Sequence, residues 1–158
     1  MIQNQPNIQP TLLDRLIDDE PGLSREPVQD RLTTFGQIEA RVARDLERLL
    51  NTRGPVIAPP PSYQELNHSL YTYGLSDFTS QSPKSQTVRQ RLWQEIERAI
   101  SRFEPRLRNV AVHIETSTEA ERVVRFKISG LLVVDPVTEP VTFDTYFDIN
   151  KGEYVVRK

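Results

Sequence analysis

The sequence predicts an α+β fold: long helices packed on one face of a four-stranded antiparallel β-meander. Three observations carry that expectation. Apolar residues recur at three- and four-residue spacing through the first two thirds of the chain, the period of a helix with one buried face. From Val110 onward the pattern changes to alternation, the period of a strand. The change falls at Pro105, which cannot donate a backbone hydrogen bond and pushes the residue before it toward extended geometry. Helices first and strands afterward segregate the helices to one side of the sheet.

Taken in order, residues 1–10 are rich in Gln, Asn and Pro and predict a disordered leader. Leu12, Leu13, Leu16 and Ile17 then form a short apolar cluster at helical spacing, closed by Asp18-Asp19-Glu20-Pro21-Gly22. The cluster reads either as an amphipathic turn lying on its own domain or as an anchor for a neighbour's groove. Residues 1–23 are expected to be this leader and residues 24–158 a single domain. Ser24, with Glu26 and Pro27 behind it, is a candidate cap for the first helix. Val28, Leu32, Phe35, Ile38, Val42, Leu46, Leu49 and Leu50 trace its apolar stripe. Residues 54–61 contain four prolines and predict an extended connector. Leu66, Leu70 and Tyr73 belong to a short helix or turn for which Gly74 is the natural stop. Ser82-Pro83 fits the start of a helix whose face is Val88, Leu92, Ile96, Ala99, Ile100 and Phe103. Trp93 sits beside that face, at a core edge or as an interface anchor. The strands follow around Val110–Ile114, Val124–Val134, Val141–Ile149 and Tyr154–Val156, with Asn150-Lys151-Gly152 as a hairpin signal.

Composition narrows the chemistry. The net charge of −2 argues against a general nucleic-acid binder. There is no cysteine, which removes disulfides, zinc thiolates and thiol nucleophiles. The amino terminus shows no basic start followed by an apolar core, and no apolar run approaches the roughly 20 residues that cross a bilayer. A soluble, cytoplasmic protein is expected. Dinucleotide, phosphate-loop, EF-hand and HExxH patterns are missing, so no cofactor and no metal are expected.

The most informative stretch is Phe103-Glu104-Pro105-Arg106, which sets a carboxylate and a guanidinium on either side of a rigid corner between helix and sheet. An arginine fork held there can bind carboxylates or main-chain carbonyls of a partner. By itself the stretch reads first as a helix stop with a local ion pair. It has company, in order: Pro10-Thr11-Leu12-Leu13-Asp14-Arg15-Leu16, Arg44-Asp45-Leu46, Leu49-Leu50-Asn51-Thr52-Arg53, Ser69 to Phe78, Phe143 to Asp148, and Gly152-Glu153. In that order the set resembles TssE, the type VI secretion baseplate subunit. That family is similar to the small wedge protein of contractile phage baseplates, once labelled lysozyme-like. The resemblance covers roughly Pro10 to Val156 and departs from the family at Ser76, where proline is usual.

The resemblance implies a non-catalytic structural subunit that connects the baseplate wedge to the contractile sheath and helps sheath polymerisation start. It implies docking of the wedge subunits TssF and TssG at Glu104, Pro105 and Arg106. Further contacts fall at Tyr73, Asp77, Phe143 and Asp144. Sheath subunits TssB and TssC would meet the carboxy-terminal sheet by strand addition, and TssK is a further implied partner.

The alternative is a lysozyme-like peptidoglycan hydrolase, which needs two carboxyl groups at a defined separation. The candidates are Glu104, Glu115, Asp144 and Asp148. Arg106 beside Glu104 favours the charged carboxylate, whereas a general acid must hold its proton. Asp144 and Asp148 share one strand face at a backbone separation of roughly 13 Å, too long for a retaining pair. His68 and His113 are the only histidines, and neither sits in a recognisable catalytic pattern.

Overall fold

The computed structural model describes residues 34–77, 86–115, 123–135, 137–148 and 150–157, together with residues 12, 16 and 22. The expected leader, the caps at Ser24 and Ser82-Pro83, and the stripe positions Val28 and Leu32 lie outside the described residues, apart from Leu12, Leu16 and Gly22. Both of these leucines are helical and exposed.

Helix α1 runs Phe35–Asn51. Thr34 starts it with a capping box. Its hydroxyl accepts from the Gln37 N–H at 3.3 Å, and its own N–H donates to Gln37 Oε1 at 2.8 Å, so the pair satisfies two donors that the first turn would leave open. The stripe Ile38, Val42, Leu46, Leu49 and Leu50 is buried as the spacing predicts. The connector that follows holds neither helix nor strand until the one-turn helix α2, Gln64–Asn67, and a 3-10 turn at Leu70–Thr72. Gly74 comes next at φ +104°, and a Cβ there would stand 2.4 Å from the Thr52 carbonyl oxygen. That close approach lets Leu75 bridge Arg53 in parallel and return the chain to the end of α1. Ser76 then donates its N–H to Glu95 Oε1 at 2.6 Å. A proline could not make this bond, so the loop at Ser76 is held by a hydrogen bond that needs its N–H.

Helix α3, Gln86–Phe103, buries Ile96, Ala99 and Ile100 and half-buries Leu92, Trp93 and Phe103. Trp93 is therefore at the core edge. The four strands are β1 (Leu107–Ile114), β2 (Val123–Val134), β3 (Val137–Asp148) and β4 (Glu153–Arg157), antiparallel in the order β1-β2-β3-β4. The α+β class and the meander agree with expectation. Among the described residues, helices of more than one turn number two, α1 and α3, with 17 and 18 residues.

β1 begins at Leu107, three residues before the alternation becomes visible in sequence. Leu107 pairs with Leu132 and Val112 with Ile128, so five steps on β1 answer four on β2. The extra residue is a bulge between Arg108 and Ala111, where Asn109 takes φ +53°. It resets which residues face inward and hides the start of the strand from a period-two search.

One sheet face carries Phe126, Ile128, Leu132, Val141, Phe143 and Val156 into a core shared with both helices. Tyr154 lies over this layer, edge-on to Phe126 at 6.2 Å and tilted against Phe147 at 4.6 Å. Burial, with a smaller contribution from the Glu95 carboxylate, raises its phenol pKa to about 12. A raised folded-state value means stability is complete below the unfolded value of 10 and is lost as pH rises from 10 toward 12. Alkaline titration is therefore expected to give a late Tyr154 phenolate coincident with unfolding, and Tyr154→Phe is expected to remove its share of that loss. Ultraviolet absorbance and circular dichroism recorded together would show it.

Helix side chains also close the backbone edges of the sheet. Asn51 donates its amide to the Tyr154 carbonyl at 2.8 Å and accepts the Tyr154 N–H at 2.8 Å. Glu47 accepts the Val156 N–H at 3.0 Å, and Glu97 accepts the Val112 N–H at 2.9 Å.

Candidate functional site

α3 ends where the Glu104 N–H closes the last turn onto the Ile100 carbonyl at 2.8 Å and Pro105 forbids another. Arg106, one residue before β1, is thereby turned back along the corner. Its Nε donates to Glu104 Oε1 at 2.6 Å and its Nη2 to Glu104 Oε2 at 2.5 Å, a bidentate fork. The Arg106 backbone N–H adds a third bond to Glu104 Oε1 at 3.2 Å. Nη2 also donates to Asp45 Oδ2 at 2.7 Å, which ties the corner to the middle of α1. Asp45 in turn lies 3.8 Å from Arg48 Nη1.

Burial opposes the Arg106 charge, but the bonds from Glu104 and Asp45 outweigh it and raise its pKa, so the guanidinium is permanently charged. Its Nη1 is buried and meets no acceptor among the described residues. Tyr73 stands edge-on to Phe103 at 5.1 Å, on the same side. Burial raises its phenol pKa, the Asp45 carboxylate adds to this and Arg48 opposes it, so the hydroxyl keeps its proton at neutral pH. Asp45, Arg48, Tyr73, Phe103, Glu104, Pro105 and Arg106 together line a shallow pocket.

The sequence-predicted residues separate into distinct groups. Glu104, Pro105, Arg106 and Tyr73 come together. Glu104 is 4% exposed, so its carboxylate is spent inside the subunit on holding Arg106 and is not itself presented. Pro105 is exposed, and the Arg106 side chain is 20% exposed. Asp77 lies apart from the pocket and pairs with Arg53 at 3.4 Å. Asp144 is exposed on the outer sheet face, 3.8 Å from Lys127. Phe143 is fully buried, and this corrects the expectation of a partner contact there: adjacent strand residues face opposite ways, so Phe143 goes to the core and Asp144 to the surface. Asp45 and Arg48 belong to the corner but were not anticipated in it. The pair Asp45 and Arg48 at i, i+3 is visible in sequence, but nothing local connects it to a residue 61 positions away.

The carboxylates considered for hydrolysis have structural partners. Glu104 is held by Arg106. Glu115 meets Lys127 at 2.8 Å, and that bond lowers its pKa. Asp148 Oδ1 accepts the Asn150 N–H at 2.9 Å and so caps the last hairpin.

Residues 36–137 match the family model described as baseplate wedge protein gp25. The chain belongs to that family. Among solved structures, the chain is similar to one in the baseplate complex from the type VI secretion system, at 21% identity and a TM-score of 0.48. The match covers 70% of this chain and 94% of that one. No curated protein matches. Family membership makes the chain a structural baseplate component, and the corner on the α3–β1 junction lies within the matched span. Among the described residues no helix is long and apolar enough to cross a membrane.

Proposed function

We propose that this chain is a TssE-type subunit of a type VI secretion baseplate wedge, non-catalytic and cytoplasmic. In this reading residues 24–158 form one domain behind a leader of residues 1–23. The domain holds TssF and TssG at the Pro105–Arg106 corner and connects the wedge to the TssB–TssC sheath, with TssK as a further neighbour. Membership of the wedge family and the ordered motifs shared with TssE support it.

The observation that carries the docking role is the division of labour at the corner. Glu104 and Asp45 are used inside the subunit to hold one guanidinium in a single orientation, while Pro105, Arg48 and the rim of Arg106 remain at the surface. Pre-paying that side-chain order lowers the entropy lost on association. What a partner carbonyl or carboxylate reaches is the exposed rim of the Arg106 side chain, since Nη1 itself is buried.

Arg48 gives the test, because it lines the pocket and is exposed. Arg48→Glu sets a second carboxylate beside Asp45 in the last turn of α1 and is expected to cost about 1 kcal/mol, leaving the chain folded. It is also expected to abolish co-purification of TssF and TssG. Undiminished capture by a folded Arg48→Glu chain would contradict the docking role.

A further inference from the structure

We propose, independently of any baseplate role, that the apolar groove beside Trp93 is the docking site of this chain's own amino-terminal segment, Leu12 to Ile17, in the free protein.

The groove lies between the end of α1, the first turns of α3 and the sheet. Leu50, Leu75 and Phe126 line it and are buried. Val88, Leu92 and Trp93 line it and are only half-buried. The α3 stripe, closed at Ile96 and Ile100, is therefore still open in the turns before them. The groove holds about 200 Å³. An apolar cavity of about 150 Å³ admits one benzene, so this space suits a pair of branched aliphatic side chains.

Two arginines stand at its rim. The Arg53 side chain is 75% exposed and touches Asp77 at 3.4 Å. Arg89 has a buried Nε that meets no acceptor among the described residues. The fitting occupant is an apolar segment that brings carboxylates with it.

The chain carries such a segment. Leu12 and Leu16 are helical and 73% and 74% exposed. Four positions apart, they share one helix face. Leu13 and Ile17 repeat the spacing one position on. Asp14, Asp18, Asp19 and Glu20 outnumber the single cation Arg15. Leucines match the groove, and the excess of negative charge matches its rim.

The connection is long enough. Residues 17–33 join Leu16 to Thr34, the cap of α1. Seventeen extended residues span up to about 56 Å. α1 is about 25 Å long and the groove is at its far end, so the segment can return along the helix with chain to spare. The tether holds the segment at an effective concentration on the order of millimolar, which favours it over the segment of a second copy. Docking hides both apolar surfaces in the free chain, and a partner that takes either one releases the other.

The chain has one tryptophan and no cysteine, so each gives a clean probe of the full-length protein. Leu12→Asp/Leu16→Asp changes side chains that no part of the core needs, and it is expected to keep the wild-type circular dichroism. Its Trp93 emission is expected to shift to the red and to be quenched more strongly by acrylamide. Emission and quenching equal to the wild type would overturn the groove. Cysteine pairs identify whose segment docks. Leu16→Cys with Val88→Cys is expected to close a disulfide within one chain. It should do so at least about tenfold faster than Leu16→Cys with Thr138→Cys, an exposed position at the other end of β3. Equal rates for the two pairs, or bridges that join two chains, would overturn the assignment.

Discussion

Arg106→Ala is expected to destabilise the isolated protein by about 3 kcal/mol, because it strands a buried carboxylate without its cation. Glu104 is nearly inaccessible, and the hydrogen bonds it accepts from side chains among the described residues all come from Arg106. Removing the guanidinium takes the fork, the backbone-linked geometry and the tie to Asp45 together. The corresponding loss in melting temperature is roughly 10 °C for a chain of this size. Arg106→Lys keeps the charge without the planar fork and is expected to fall between the wild type and alanine. Urea unfolding of the three proteins measures the series. A loss below about 1 kcal/mol for alanine would mean that the network is solvated and weak, as exposed pairs are. The consequence for function is that Arg106→Ala confounds folding with docking. The corner is an internal strut whose outer surface is available, and Arg48→Glu separates the two roles.

Phe143→Ala is expected to cost about 4 kcal/mol, the range for truncating a buried aromatic in a packed core. Phe143 is fully buried, pairs with Ile128 on β2, and lies in the layer shared with both helices. Asp144→Ala, one residue on, is expected to stay within about 0.5 kcal/mol of wild type because its side chain is on the solvent face. Phe143→Leu refills most of the space and is expected to keep the capture of wedge and sheath proteins. A Phe143→Ala protein of wild-type stability that loses partner capture would restore the surface role expected from sequence. Equilibrium unfolding beside co-purification reads both.

Much of this fold was legible because its signals are local. The α1 and α3 stripes, the stop at Pro105, the alternation of β2 and β3 and the turn at Asn150 each report through neighbours a few positions apart. The misses have physical causes. The start of β1 was hidden because the bulge at Asn109 breaks the period that reveals a strand. Phe143 was grouped with its neighbour Asp144 because a motif keeps residues together that a strand sends to opposite faces. Asp45 and Arg48 escaped because they reach the corner through tertiary packing of α1 against the α3–β1 junction. The corner itself was visible as Glu-Pro-Arg, but the inward turn of Glu104 was not. Which way a carboxylate faces is decided by the chain folded around it.

The most direct test of the central claim is a photo-crosslinking amino acid placed at Pro105 in a functioning baseplate. Pro105 is exposed and lines the pocket, and its side chain makes none of the ion-pair contacts. The account predicts covalent capture of TssF or TssG from position 105, and none from the exposed position 91 on α3. A position 105 that captures nothing while baseplates assemble and fire would contradict it.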